Sequence, residues 1–145
     1  MADASLADAA SPEISGLIEE ARRVQGRFAL GGADFASGAV GAAVRGRSGR
    51  IYTGVCADLA CGLGFCAEQA AIAEMLKSRE SAIAAVVAVG ADGILAPCGR
   101  CRELIAQVHP GNMDSLVVLD AGRAVPLREL LPERWLDGSR NGGSR

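Results

Sequence analysis

Aromatic side chains are scarce, at 3% of 145 residues: Phe28, Phe35, Tyr52, Phe65 and Trp135. A single-strand nucleic-acid platform, which stacks bases on such rings, has too few of them here. Basic charge is short as well, with 15 Lys and Arg against 17 Asp and Glu and a formal net charge of −2. That balance provides no positive field to seek out phosphate backbones, so nucleic acid is not expected as a partner. Long apolar runs are missing. The longest, Ala82 to Val89, falls far below the about twenty residues that cross a bilayer, and no membrane partner is expected. The opening MADASLADAASPE has acids where a secretory leader has a basic stretch and an apolar core, which points to a cytoplasmic location. Histidine is limited to His109.

Half of the chain is apolar and 22% is charged, enough for one buried core in one domain. Residues 1–11 read as a flexible acidic tail, 12–136 as the folded domain, and 137–145 (DGSRNGGSR from Asp137) as a disordered tail. Ser11-Pro12-Glu13 has the features of a helix start, and Ile14, Leu17, Ile18 and Ala21 follow at helical spacing. Val40–Val44 and Ile51–Val55 predict two strands around a polar turn. A helix is expected from Cys66 to Ser78, a doubly covered strand at Ile83–Val89, and a helix from Cys98 to Val108 stopped by His109-Pro110-Gly111. Leu116–Leu119 predicts another strand, Ala124-Val125 a short edge strand, and Leu127–Leu131 a short helix. This order predicts a three-layer α/β/α domain around a mixed sheet.

Five cysteines, Cys56, Cys61, Cys66, Cys98 and Cys101, make an odd number unsuited to a disulfide framework. Cys98 and Cys101 lie three apart at a helix start, so both can reach one ion from the same face. Cys66 opens the other helix, where the partial positive charge of the N-terminus favours a thiolate. Three thiolates on Zn²⁺ leave one tetrahedral position for water, which is the layout of a catalytic site. Glu68, two residues after Cys66 on the same first turn, is positioned to move protons to and from that water. The combination of x-E beside the first ligand and P-C-x-x-C later is the zinc-deaminase signature. A C-x-x-C pair alone also suits a redox dithiol, or a closed zinc site completed by Cys56, Cys61 or His109.

Cys66-Ala67-Glu68, Gly93-Ile94-Leu95-Ala96-Pro97-Cys98-Gly99-Arg100-Cys101-Arg102 and His109-Pro110-Gly111 together resemble the cytidine deaminase family, and most of all its blasticidin S deaminase branch. Supporting segments are Val40–Val44, Gly49–Gly54 and Arg128–Pro132, so the likeness spans residues 35–135. The resemblance implies a five-stranded sheet, one zinc per chain held by Cys66, Cys98 and Cys101, and a homotetramer whose pockets are completed by neighbours. It implies hydrolysis of a cytosine-type nucleoside to its oxo form plus ammonia, a zinc-held hydroxide attacking C4 while Glu68 shuttles the proton. The alternatives are a modified cytosine nucleoside, a free aminopyrimidine, triazine or purine base, or a non-catalytic zinc-binding assembly protein.

Phe35, Cys56, Asp58, Ala67 and Trp135 are the substrate-contact candidates that the resemblance supplies. Cys56 and Asp58 stand where the family carries an Asn and a Glu that hold a ribose. A thiol does not replace an amide as a hydrogen-bonding group, so this change bears on substrate choice. Gln69 stands where tetrameric members carry an Arg that offsets thiolate charge, which leaves the helix N-termini, and Arg100 or Arg102, to supply it. Phe65 is expected to pack under its helix, and His109 to belong to a helix stop.

Overall fold

The computed structural model of the chain describes residues 11–31 and 34–140, the side chains of 139 and 140 excepted. Helix α1 (Pro12–Val24) starts as expected, with the Ser11 hydroxyl accepting from the Ile14 N–H and proline in the first turn. Its stripe of Ile14, Leu17, Ile18 and Ala21 is buried. Each of the three larger side chains contributes roughly 1.5–3 kcal/mol of burial free energy.

After the two-residue strand β1 (Phe28–Ala29) come β2 (Ala36–Gly46) and β3 (Ile51–Asp58), an antiparallel pair. Both run longer than their apolar patterns suggest. In β2 the extension passes through Gly38, whose φ of +81° interrupts the strand alternation, and the register with β3 shifts between Ser37 and Gly41. Helix α2 (Ala67–Lys77) leads to β4 (Ile83–Gly90), then β5 (Gly93–Leu95) and helix α3 (Gly99–Val108). A 3₁₀ turn at Pro110–Asp114 precedes β6 (Leu116–Asp120), β7 (Arg123–Pro126), helix α4 (Leu127–Leu130) and helix α5 (Trp135–Arg140).

The sheet is mixed, with β4 and β6 parallel and the other pairings antiparallel. It has seven strands among the described residues, not five. The order β3-β2-β4-β6-β7 accounts for the five expected, and the additions β1 and β5 are two and three residues long. Segments that short carry no readable alternation. The expected tail from Asp137 is also corrected in part, because residues 137–140 belong to α5. Residues 1–10 and 141–145, the remainder of the two expected tails, lie outside the described residues.

Alternation along the central strands separates two cores. Ala43, Ala85, Val87, Val89, Leu116 and Val118 face α1. Ala42, Val44, Val86, Ala88 and Val117 face the opposite side, where α2 and α3 pack. The result is the expected three layers. On that second face α2 lies directly on β3: a Cβ at Gly54 would meet the Ala71 backbone N–H, Ala70 Cβ at 2.6 Å and the Ala67 carbonyl at 2.8 Å. Glycine at that point sets how deeply the start of α2 sits against the sheet.

Candidate active site

Two helix starts converge beside the sheet. Cys66 is the N-cap residue of α2 and Cys98 that of α3, both in extended backbone with no side-chain capping bond, so neither sulfur is spent on its helix. The backbone bonds pairing Ala57 with Phe65, at 3.1 Å in both directions, tie the loop after β3 to the strand and fix the approach to Cys66. Cys101, one turn into α3, is fully buried.

The Sγ atoms of Cys66 and Cys98 are 3.5 Å apart, and those of Cys98 and Cys101 3.6 Å. All three lie within 4.8 Å of one another. Tetrahedral zinc–sulfur bonds of about 2.3 Å require edges of about 3.8 Å, so the Cys66–Cys98 and Cys98–Cys101 edges fit such an ion with adjustments of tenths of an ångström. Three sulfurs are also the soft donor set that zinc accepts readily. The other candidate ligands are elsewhere. His109 Nδ1 accepts from the Gly111 N–H at 3.0 Å, capping the 3₁₀ turn, and Cys56 and Cys61 are outside the cluster.

The thiols are electrostatically unequal. Burial acts to raise the Cys98 thiol, but N–H groups of Cys101 and Arg100 and the neighbouring thiols outweigh it and bring the pKa below the ordinary value. Burial, followed by the Cys98 contact, pushes Cys66 up. Cys101 rises furthest, through burial and the nearby Glu68 carboxylate. Metal uptake therefore displaces protons from Cys66 and Cys101.

Glu68 is 95% removed from solvent, its side chain facing the same cavity as Cys66 and Cys98. Burial lifts its carboxyl above the usual range, against the opposing backbone N–H and Cys101 thiol. A carboxyl held high in this way exchanges protons nearer neutral pH than a surface acid does.

The cavity measures about 270 Å³. Its walls come from β2 (Ala39, Val40), β3 (Cys56, Asp58), the start of α2, and Leu95–Ala96 after β4. Residues 56 and 58 are two apart on a strand, so their side chains share its face. Cys56 is buried, and its sulfur accepts from the Val40 N–H at 3.3 Å. Asp58 is exposed at the mouth. Asp58, Phe65 and Cys66 also border an outer pocket of about 590 Å³, which reaches Phe35 and Arg100.

The structure thus brings Cys56, Asp58, Ala67 and Glu68 to the inner cavity and Phe35 to the outer one. Phe65 does not pack under α2; it is 42% exposed and forms a wall of both spaces. Trp135 is in neither. It begins α5, is 55% exposed, and its N–H donates to Glu103 Oε1 at 2.9 Å. Ala39, Val40, Ala88 and Leu95 also line the cavity, and sequence reasoning missed them because apolar residues on strands read simply as core.

Comparison with known proteins gives the same picture. Residues 16–117 match the family model described as the cytidine and deoxycytidylate deaminase zinc-binding region. The chain is 34% identical over 99 residues to a cytidine deaminase of Mycobacterium tuberculosis, covering 67% of this chain and 72% of that protein. The crystal structure of cytidine deaminase from Burkholderia pseudomallei superposes with a TM-score of 0.68 at 30% identity, covering 83% of this chain and 98% of that one. The Mycobacterium tuberculosis crystal structure gives 0.64 at 27% identity, covering 83% and 92%. The chain belongs to the zinc-binding cytidine and deoxycytidylate deaminase family.

Proposed function

We propose that this chain hydrolytically deaminates cytosine-type nucleosides, turning cytidine or deoxycytidine into uridine or deoxyuridine with release of ammonia. The observation that carries the reading is the buried Glu68 carboxyl on the wall of the cavity that the three cysteine sulfurs border. Cys66, Cys98 and Cys101 would hold zinc, which would supply the Lewis acidity that makes water a nucleophile near neutral pH. Glu68 takes a proton from the attacking water, delivers it to ring N3, and passes the next to the departing amino group. The base would lie in the inner cavity against Ala67, with Cys56, Asp58 and Phe35 toward its substituent.

The named relatives are cytidine deaminases, which favours an ordinary cytosine nucleoside over the blasticidin-type or free-base alternatives. A protein kept only for assembly has no use for a buried acid at an open three-sulfur site. Homotetrameric assembly belongs to the reading and is supported by the exposed apolar groups that line the two spaces: Phe35, Phe65 and Leu95. A cytoplasmic location completes it, and no helix among the described residues is long and apolar enough to cross a membrane.

The test is ammonia release from cytidine, deoxycytidine and cytosine, with zinc measured in the same sample. One zinc per chain and turnover of a nucleoside are expected. Zinc-loaded protein that releases ammonia from none of the three would overturn the proposal.

A further inference from the structure

Arg102 is the residue after the last cysteine of the cluster, and its side chain is half-buried between two chain segments. The Nε–H donates to the Pro97 carbonyl at 2.9 Å, and an Nη1–H donates to the Leu130 carbonyl at 3.1 Å. Its own backbone N–H donates to the Cys98 carbonyl at 3.0 Å. One residue therefore ties together the peptide entering Cys98, the first turn of α3 that carries Cys101, and the end of α4. Pro97 is buried and, with Leu95 and Glu68, borders a small internal space against β4 and β6. Leu130 ends a four-residue helix, whose last carbonyls have no partners within the helix.

A planar guanidinium bonds along two separate directions at once, which a lysine ammonium on a flexible stem does not reproduce. No carboxylate among the described residues pairs with Arg102 within ion-pair distance. Its positive charge consequently stays one peptide away from Cys98, at a centre where three thiolates on a dication carry a formal net charge of −1. Gln69, on the neighbouring helix, is neutral. Arg100 is exposed at the outer pocket, so its charge is shared with solvent.

We propose that Arg102 is a positioning residue for the metal centre: through Pro97 it fixes the backbone that presents Cys98, and it leaves its charge there to offset excess thiolate. This rests on the metal-centre part of the reading given above, not on the identity of the substrate. Partners of metal ligands typically contribute 10–100-fold in metal affinity or activity, and that range is expected here.

The experiment uses the full chain as wild type, Arg102→Lys and Arg102→Gln. Each is stripped, reloaded with Co²⁺ to follow sulfur-to-cobalt absorption, and titrated with Zn²⁺ against a chelator, with thermal unfolding measured alongside. Arg102→Lys keeps the charge and should weaken zinc binding about tenfold and change the cobalt spectrum. Arg102→Gln loses charge and fork together and should weaken binding by up to about 100-fold. Should Arg102→Gln not fold, the lysine variant alone decides. Wild-type zinc affinity and an unaltered cobalt spectrum in folded Arg102→Lys, with only a lower Tm, would reduce Arg102 to a structural tie and overturn the proposal. These readouts are independent of turnover. A wild-type chain inactive on cytidine would count against the proposed substrate and leave the assignment of Arg102 standing.

Discussion

Replacing Glu68 by Gln keeps the shape of a buried side chain and removes only its ability to take up and release a proton. The carboxyl is held above the usual range, chiefly by burial, on the cavity wall beside Cys66 and Cys98. A positioned acid–base group contributes about 10²–10⁴ to rate, or about 3–5 kcal/mol of barrier at 1.36 kcal/mol per tenfold. Glu68 serves both the transfer to the ring and the transfer to the leaving group, so a loss near the upper end of that range is expected. Stability should not fall with it. A neutral amide is easier to bury than a carboxylate. Zinc content, Tm and ammonia release from cytidine are measured on the same preparation. The expected result is one zinc per chain, a Tm equal to wild type or higher, and turnover reduced at least 10³-fold. Turnover within tenfold of wild type at full zinc loading would refute the proton-carrying role.

Two further outcomes follow from the packing. Gly54→Ala places a methyl against the backbone of α2 at Ala67 and Ala71. That overpacking should cost about 1–3 kcal/mol in urea unfolding; because the displaced helix carries Cys66 and Glu68, kcat should fall more than tenfold in protein that remains folded. Tyr52→Phe removes the hydroxyl that donates to Glu80 at 2.7 Å. Burial acts to raise Glu80, but Ser48 and Tyr52 together outweigh it and bring the carboxyl below the usual range. A depressed carboxyl stabilises the fold above its unfolded pKa and loses that contribution as pH falls through the folded value. The variant should thus be about 1–2 kcal/mol less stable at neutral pH, with the difference closing in acid below the ordinary carboxyl range. A pH-independent gap would count against this account.

The chemistry could be read from the sequence to a greater depth than the architecture around it. Cys66, Cys98, Cys101 and Glu68 each lie within one turn of a helix start, and helix starts have local signals: a glycine or proline before, strong helix formers after. Two first turns brought together fix the relative positions of four side chains, so the metal cluster and its acid follow from short-range rules. The strands that form the cavity do not obey such rules. β1 and β5 are pairings of two or three residues decided by what lies beside them, and β2 continues through Gly38 because β3 supplies its partners. α5 forms from a stretch whose Gly138 and Ser139 resemble a linker.

The same division explains why the reaction is easier to infer than its substrate. Cys56 and Asp58 became neighbours in the cavity only when β3 proved to extend to residue 58. The contact of Cys56 with the Val40 N–H ties it to β2, sixteen residues earlier in the chain and across a turn, a relation that no local pattern encodes. The outer pocket is bordered by Asp58 at the end of β3, Phe35 just before β2 and Phe65 in the loop before α2. Each has one sequence neighbourhood and a different spatial one. The three cysteines and Glu68 are thus placed by helix starts, which sequence specifies locally, whereas the rest of the cavity wall is placed largely by strand pairing, which it specifies only through the whole fold.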